Sequence, residues 1–264
     1  DTSSGIAFFT SSTDCSVTCC TISYAPTKSG ISTFAADRLT VRDCKITQTG
    51  APGGSPARGI IAVSSNDLTI DNCSFIDSDI AIYISTAVDT SNLYVNNCKH
   101  SVTTSGRGRY GIQISTIGGL FQSTISGFVA TGLNDTTSSS LAGILIDGSF
   151  LVQKLNIDRC KFLGIGDPSV SHGSGILSTV PTTDLVISNC EIDSIFGAIT
   201  ARGIGVEVNS TSNTSLNISN NIVRSVLCTN TPRGIVVGSY SNLVINGNNS
   251  QTIGSASSTG SFCN

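Results

Sequence analysis

The chain has 264 residues, a formal net charge of −3 and only 12% charged residues, about half of the usual share for a soluble domain. Ser, Thr, Asn and Gly occupy the polar positions that surface helices fill with Glu and Lys, so the composition argues against a helical fold. A mildly acidic chain offers no cationic footprint for phosphates, which excludes nucleic acid as an expected partner. No apolar run approaches the ~18 residues that cross a bilayer, so no membrane span is expected.

The sequence contains no Met and is numbered from Asp1, so we expect the processed product of a precursor that works outside the cell or on its surface. Several Asn-x-Ser/Thr sequons fit this expectation, because such sites carry N-linked glycans in secreted proteins. The sequons are centred on Asn72, Asn134, Asn209, Asn213, Asn217 and Asn248, and the last five are the candidate glycosylation sites.

A phrase of the form Leu-x-(Val/Ile)-x-(Asn/Asp)-Cys-x-(Ile/Phe) recurs along the chain, as expected of a repeat protein. The best copies begin at Leu39, Leu68, Leu93, Leu155 and Leu185. Later copies begin at Leu216 and Leu243 and carry Asn at the Cys position, and degenerate copies surround Val17 and Ile125. A second phrase, Gly-Ile followed by alternating apolar residues, precedes each copy. It begins at Gly5, Gly30, Gly59, Gly111, Gly143, Gly175, Gly203 and Gly234, and Ala81 once replaces the glycine.

Both phrases alternate apolar and polar residues, which is the period of a half-buried β-strand. The inward series skips one residue between Val41 and Cys44, so we expect a bend there. The Asp, Asn or Gly before the Cys tolerates the left-handed backbone of a tight corner. The glycine before Ile is expected to form a second corner. These features predict two clear strands in each coil and a short third strand in the variable stretch.

Stacked coils bury the apolar face that a single coil leaves exposed, because each strand pairs in parallel with its equivalent one turn later. We therefore predict an all-β fold, a right-handed parallel β-helix of about nine coils. It forms a single domain over residues 1–264, with 1–22 as an N-terminal coil or cap and 250–264 as a C-terminal tail or cap. Inside it, equivalent side chains form a ladder with a spacing of about 4.8 Å. The ladder consists of Cys20, Cys44, Cys73, Cys98, Cys160 and Cys190, followed by Asn221 and Asn248.

The coil phrase, the Asn corners and the ladder make nearly the whole chain similar to the right-handed parallel β-helix proteins of the pectin-lyase-like superfamily. That superfamily includes pectate lyases, polygalacturonases, phage tailspikes and adhesins. None of the shared features is a catalytic motif, so the resemblance implies a fold and leaves the function open.

The remaining cysteines lie near the two ends of the chain, where a solenoid frays. We predict a disulfide between Cys228 and Cys263 that pins the C-terminal tail, and more weakly a disulfide between Cys15 and Cys19. The ladder thiols are interpreted as small apolar filling. A one-dimensional stack does not surround an ion tetrahedrally, so we expect no metal site.

The resemblance also directs a search for catalytic groups. Polygalacturonases use several Asp residues with a Gly-His-Gly segment, whereas this chain has Ser171-His172-Gly173 and no matching Asp pair. Pectate lyases use acidic Ca²⁺ ligands with a basic side chain. The candidate acids are Asp77, Asp79, Glu191 and Asp193, and each pair is spaced so that both members can project from one strand face. Lys161 lies one coil before Glu191, so a cross-strand ion pair is the plainer interpretation. We expect no catalytic residue and no cofactor, with Ca²⁺ only if the lyase alternative holds.

Basic and aromatic residues supply candidates for binding. Arg58, Arg202 and Arg233 directly precede the Gly-Ile phrase, and Arg109 lies one residue further back. They either cover a corner or form an anion-binding stripe for acidic sugars, although Ala142 and Ser174 interrupt the row. Three tyrosines fall close together in sequence and are the best candidates for a glycan contact, namely Tyr83, Tyr94 and Tyr110.

The sequence thus favours a secreted or surface-exposed structural or adhesive protein, or a subunit of an extracellular filament or appendage. Exposed coil ends stack on other coil ends, so self-association or a homo-oligomer is the expected partnership, with glycans as a further partner. Two alternatives remain open: a polysaccharide lyase or glycoside hydrolase, and a viral or phage spike domain.

Overall fold

The chain folds as an all-β parallel solenoid, and this confirms the fold class predicted from the two phrases. The computed structural model describes residues 5–9, 12–50, 56–86, 89–208 and 210–255. Every regular element in these ranges is a strand, and the search for a helix that is long and apolar enough to cross a bilayer finds none there. The predicted sites at Asn209 and Cys263 lie outside the described residues.

Three parallel sheets run along the solenoid, and the main path of each contains nine strands. The first sheet contains Ile6–Phe8, Ser29–Phe34, Arg58–Val63, Ile80–Thr86, Tyr110–Thr116, Ser140–Gly148, His172–Ser178, Thr200–Val206 and Thr231–Val237. The second contains Ser16–Thr18, Thr40–Arg42, Thr69–Asp71, Tyr94–Asn96, Leu120–Ser126, Val152–Asp158, Leu185–Ser188, Ser215–Ser219 and Asn242–Asn246, with the short strands Thr90–Ser91 and Thr182–Thr183 beside this path. The third contains Thr21–Tyr24, Lys45–Gln48, Ser74–Ile76, Lys99–Ser101, Val129–Thr131, Lys161–Ile165, Glu191–Gly197, Ile222–Cys228 and Asn249–Ser255.

The bend predicted inside the first phrase is a sharp corner between the second and third sheets. The residue before each ladder position has a positive φ, for example 54° at Asp43 and 50° at Asn72. The phrase therefore supplies two strands of each coil, and the Gly-Ile phrase supplies the other strand of the three-sheet path. We expected the third strand of each coil in the variable stretch, and for most coils this is wrong. The third strand comes from the first phrase, which the corner before the ladder residue divides into two strands.

The glycine of the second phrase does not form a corner. Gly59 lies inside the strand Arg58–Val63, and a Cβ there would come within 2.5 Å of Cδ1 of Phe75 and 2.6 Å of the carbonyl oxygen of Ala81. In the same way, a Cβ at Gly111 would clash with the ring of Phe128, and a Cβ at Gly143 would clash with the ring of Phe162. The glycine is needed because the interior ring and the neighbouring backbone approach too closely for any side chain.

The interior ladder forms as predicted. Each Cys member accepts a backbone hydrogen bond from the coil that follows it, as in Ser74 N–H to Cys44 O at 2.8 Å and Lys99 N–H to Cys73 O at 2.9 Å. The later Cys members are no more than 2% exposed, and Cys20 in the first coil is half-buried. Each ladder cysteine therefore contributes to one continuous core that runs the length of the solenoid.

The disulfide predicted between Cys15 and Cys19 is absent, and both residues are free thiols. Cys19 lies at the exposed corner with a φ of 54°, whereas Cys15 packs against the core from the position that Leu39 occupies one coil later. The two side chains thus point in different directions. Cys228 is buried in the third sheet at 4% exposure, and its predicted partner Cys263 lies outside the described ranges.

Candidate functional site

The outer face of the first sheet brings most of the predicted binding residues together, and we call it the first-sheet face. Two columns of its outward residues contain the candidates, and equivalent positions in each column pair in register from coil to coil. One column contains Ser29, Arg58, Ile80, Tyr110, Ala142, Ser174, Arg202 and Arg233. The other contains Ser32, Ile61, Tyr83, Gln113, Leu145, Leu177, Gly205 and Val236.

A cluster of apolar side chains forms the floor of the first-sheet face. Ile80, Tyr110, Ala142, Leu145 and Leu177 are at most 7% exposed, although they point away from the interior of the solenoid, and Tyr83 packs against them. Outward residues of a half-buried sheet are usually polar and solvated. This face is therefore unusual in combining a packed apolar floor with charged residues at its edge.

Two arginines contact the aromatic rings of this floor. The Arg58 guanidinium lies 4.4 Å from the ring centroid of Tyr83, and that of Arg109 lies 5.3 Å from the ring centroid of Tyr110. Stacking of this kind is worth about 0.5–2 kcal/mol and orders a guanidinium without neutralising its charge. Neither arginine forms an ion pair with any residue in the described ranges. Burial lowers the pKa of Arg58.

Buried polar atoms without a hydrogen-bond partner concentrate on or beside this face. Among the residues that the structure describes there are nine such side-chain atoms, and five of them belong to Arg58, Arg109, Asp147, His172 and Ser174. Buried polar groups in folded proteins nearly always have a partner, so a concentration of unpaired ones calls for an explanation. These five atoms are buried, so side chains would have to move before a ligand on the first-sheet face could bond to them.

The predicted arginine stripe is not continuous. The positions of Ile80, Tyr110, Ala142 and Ser174 separate Arg58 from Arg202 in the column. Arg202 and Arg233 are also partly neutralised, because Glu207 lies 2.5 Å from Arg202 Nε and 3.7 Å from Arg233 Nη1. The uncompensated positive charge of this row therefore lies at Arg58 and Arg109.

The three tyrosines do not form one sector. Tyr83 and Tyr110 share the first-sheet face, but Tyr94 lies in the second sheet, where it is 40% exposed. A corner separates Tyr94 from Tyr83, so closeness in sequence was misleading. Their positions in the repeat would have separated them, because Tyr94 belongs to the first phrase and the other two belong to the second.

Asp77 and Asp79 do not project from one strand face. Asp77 lies at a turn with a φ of 53° and accepts hydrogen bonds from the backbone N–H groups of Thr103 and Thr104 at 2.7 and 3.0 Å. Burial opposes its ionisation, but these bonds outweigh it and hold the pKa of Asp77 below its ordinary value. Asp79 is only 5% exposed, and burial raises its pKa. The two carboxylates serve different local structures and do not form a cation site together.

Glu191 and Asp193 belong to an ion-pair network on the outer surface of the third sheet. Glu191 lies 2.8 Å from Lys161 Nζ and 2.5 Å from Arg224 Nη2, and Asp193 lies 3.6 Å from Arg224 Nε. The hydrogen bond from Lys161 lowers the pKa of Glu191. The cross-strand ion pair expected between Lys161 and Glu191 is thus present, and these carboxylates are already neutralised. Within the described ranges, no group of three or more His, Cys, Asp or Glu side chains is arranged to hold a metal ion.

The sequons lie in different environments. Asn213 is 2% exposed, accepts a hydrogen bond from Thr182 N–H at 3.1 Å and donates one to Ser239 O at 2.9 Å, so the folded chain leaves no room for a glycan there. Asn248 is also occupied, because it terminates the ladder and donates to Ile218 O at 2.8 Å. Asn134 and Asn217 are partly exposed, and their glycosylation stays a prediction.

Comparison with known proteins agrees with the fold. A family model described as "Right handed beta helix region" matches residues 1–151, more than half of the chain, so the chain belongs to this family. No curated protein is significantly similar to it in sequence.

Several solved structures show a similar fold. One is the catalytic domain of a GH87 alpha-1,3-glucanase in complex with nigerose, with 13% identity, a TM-score of 0.40 and coverage of 86% of this chain and 59% of the glucanase chain. Another is the tailspike protein of E. coli bacteriophage HK620, with 10% identity, a TM-score of 0.37 and coverage of 86% and 54%. A third is the A-module of a mannuronan C-5 epimerase from Azotobacter vinelandii, with 13% identity, a TM-score of 0.26 and coverage of 90% and 80%. The chain spans little more than half the length of the first two.

Proposed function

We propose that this chain is an extracellular adhesive β-helix protein whose first-sheet face binds an acidic glycan. The observation that carries the proposal is the pair Arg58 and Arg109, two guanidinium groups that rest on aromatic rings and form no ion pair in the described part of the chain. A guanidinium presents a planar fork of donors that matches a carboxylate or sulfate. An anionic ligand would neutralise both groups at once.

The spacing of the two arginines favours an extended ligand. The strand Ile80–Thr86 separates the strand of Arg58 from that of Tyr110, so the two arginine backbones lie two coils apart along the solenoid axis, with the Arg58 guanidinium over Tyr83 of the coil between them. Two coils correspond to about 10 Å at the usual strand separation. A linear polysaccharide that runs along the axis, with acidic groups repeating at a similar distance, can contact both arginines.

Tyr83 offers aromatic surface to a sugar ring between the arginines. It is partly exposed, whereas the floor residues Ile80 and Tyr110 on which it packs are only 1% and 5% exposed. Aromatic side chains combine an apolar ring face with a polar edge, which matches the C–H face and the hydroxyl rim of a pyranose.

The proposal is tested by calorimetric titration of the full chain with a uronic acid oligosaccharide and with the neutral oligosaccharide of the same length. Arg58→Gln and Arg109→Gln should each weaken binding of the acidic ligand by about tenfold or more, since a hydrogen bond to a charged group contributes about 1.5–3 kcal/mol. Arg42→Gln is the matched control, because Arg42 lies on the outer face of the second sheet and pairs with Asp71 at 3.2 Å. Equal affinity for the neutral ligand, or binding unaffected by both substitutions, would overturn the proposal.

The enzyme alternative is addressed with the same oligosaccharides. If the chain is a lyase or hydrolase, incubation with the acidic ligand, with and without Ca²⁺, will shorten the ligand chain with time. Turnover that disappears in Asp147→Asn or Glu207→Gln would replace the adhesive function by a catalytic one, because these carboxylates contact Gln113 and Arg202 of the first-sheet face. An adhesive protein leaves the ligand intact.

Self-association is a second candidate, and the last described coil favours it. Leu243, Val244 and Ile245 in the strand Asn242–Asn246 are 43–47% exposed, whereas the equivalent Leu216 and Ile218 one coil earlier are at most 1% exposed. A second copy that stacks on this coil would cover these apolar residues. Sedimentation velocity over a concentration series tests this, and Ile245→Asp should abolish any association that uses this end.

A further inference from the structure

We propose that Asp79 is a positioning residue that holds the backbone of Arg58 in place relative to that of Arg109. The inference rests on the proposed function, because it gives this buried carboxylate a role in shaping the glycan-binding pair. Asp79 directly precedes Ile80, the floor residue between the two arginines, and it lies in the coil between them. Its side chain contacts the coil before it, which carries Arg58, and its backbone carbonyl contacts the coil after it, which carries Arg109.

The Asp79 side chain fixes the segment that leads into Arg58. Its Oδ2 atom accepts a hydrogen bond at 2.9 Å from the backbone N–H of Ala57, the residue directly before Arg58. The Ala57 carbonyl in turn accepts a hydrogen bond from Ile80 N–H at 3.0 Å. The direction in which the Arg58 side chain leaves the sheet is therefore tied to Asp79.

The Asp79 backbone fixes the segment that carries Arg109. The Asp79 carbonyl accepts hydrogen bonds from the backbone N–H groups of Arg109 and Tyr110 at 2.6 and 3.1 Å. The two arginines are thus attached to one residue, the first through the carboxylate and the second through the carbonyl. A change in the orientation of Asp79 would alter the separation of the two guanidinium groups.

A buried polar cluster at the corner between the third and first sheets holds Asp79 itself. The Gln48 amide donates to Asp79 Oδ2 at 3.3 Å and accepts from Asp79 N–H at 2.9 Å, and Arg107 Nη1 donates to Asp77 O at 3.2 Å. Gln48, Asp79 and Arg107 are 3%, 5% and 2% exposed. These buried contacts leave Asp79 little freedom to reorient, as a positioning role requires.

The test uses two variants of Asp79 and one matched control. Asp79→Asn keeps an oxygen acceptor for Ala57 N–H, whereas Asp79→Ala removes it. Asp43→Ala is the control, because Asp43 accepts a side-chain hydrogen bond from Asn72 at 2.6 Å at a corner away from the first-sheet face. If Asp79→Ala fails to fold, Gln48→Ala provides a second test, since it removes both side-chain contacts to Asp79 and leaves the carboxylate in place.

The first measurement needs no ligand. Hydrogen exchange at the amides of Ala57 and Arg58, resolved by NMR on the full chain, should accelerate by about tenfold or more in Asp79→Ala, because the Ala57 amide loses its acceptor. Exchange at these amides should remain unchanged in Asp79→Asn and Asp43→Ala. Unchanged exchange in Asp79→Ala would overturn the positioning role, whether or not the chain binds a glycan.

The second measurement is a double-mutant cycle on affinity for the acidic oligosaccharide. Asp79→Ala should weaken binding by about tenfold, Asp79→Asn should restore it to within about twofold, and adding Arg58→Gln to Asp79→Ala should cost little more. Additive losses from Asp79→Ala and Arg58→Gln would overturn the positioning role. A wild-type chain that binds no acidic glycan would overturn the proposed function alone, and the exchange result would still decide the role of Asp79.

Discussion

The Oδ1 atom of Asn221 accepts a hydrogen bond from the backbone N–H of Cys190 at 2.9 Å. The same Asn donates from Nδ2 to the carbonyl of Ile187 at 3.0 Å, and Cys190 Sγ lies 3.9 Å from the carbonyl of Ile157, which is the equivalent atom one coil earlier. Cys190 and Asn221 therefore contact equivalent carbonyls of the preceding coil, although the Cys190 thiol lies closer to Ser188 O, at 3.2 Å. Both residue types are small and can donate to this carbonyl, which explains why they replace each other along the chain, although Phe128 fills the same position once.

The first prediction concerns the ladder. Cys190→Asn should retain most of the stability of the chain, because its amide can donate to Ile157 O as Asn221 donates to Ile187 O. Cys190→Val removes the donor from a buried site and should lower the free energy of unfolding by about 1–3 kcal/mol. Urea unfolding followed by circular dichroism measures both values. A Val variant as stable as the Asn variant would show that the thiol only fills space.

The second prediction concerns acid stability. His100 is fully buried in the third sheet and contacts Ser78 O through Nε2 at 3.0 Å, and burial lowers its pKa from 6.5 to about 4. Between these values the unfolded chain binds a proton that the folded chain does not, so the free energy of unfolding should fall with decreasing pH, by up to about 3 kcal/mol from this residue. His100→Gln keeps a donor for Ser78 O and does not titrate. Its urea midpoint should therefore decrease less than that of the wild type between pH 7 and pH 4, and equal decreases would contradict the assignment.

The third prediction separates structure from catalysis at Glu191. Its partners Lys161 and Arg224 are 41% and 38% exposed, and such surface pairs contribute about 0–1 kcal/mol. Glu191→Gln should lower the free energy of unfolding by less than about 1 kcal/mol, with a smaller loss at high salt, and should leave glycan binding unchanged. Thermal unfolding at low and high ionic strength provides the measurement. A loss of any polysaccharide turnover in this variant would return Glu191 to the catalytic candidates.

The repeat made the fold predictable, but it did not predict the structural role of the glycine in the second phrase. Alternation and phase predict stacked strands and an interior Cys/Asn ladder because each inward position must match its equivalent one coil later. A glycine permits either a positive φ or a close approach by another group, and the sequence does not distinguish the two. At Gly59 the glycine is needed for the close approach, because the ring of Phe75 reaches it from a different strand.

The candidate site was predictable only in part for a related reason. Arg58 and Tyr83 belong to successive copies of the second phrase, so the repeat predicts that they lie on the same face. The role of Asp79 does not follow, because its partners Gln48 and Ala57 lie outside either phrase and meet it only when the coils stack. Contacts between coils outside the phrases carry no periodic signal.

The most direct test of the glycan-binding proposal is a crystal structure of the full chain with a bound uronic acid oligosaccharide. The account predicts a ligand that runs along the solenoid axis over Tyr83, with one acidic group at the Arg58 guanidinium and another at that of Arg109. A ligand bound on the second or third sheet, with both of these arginines unoccupied, would contradict it.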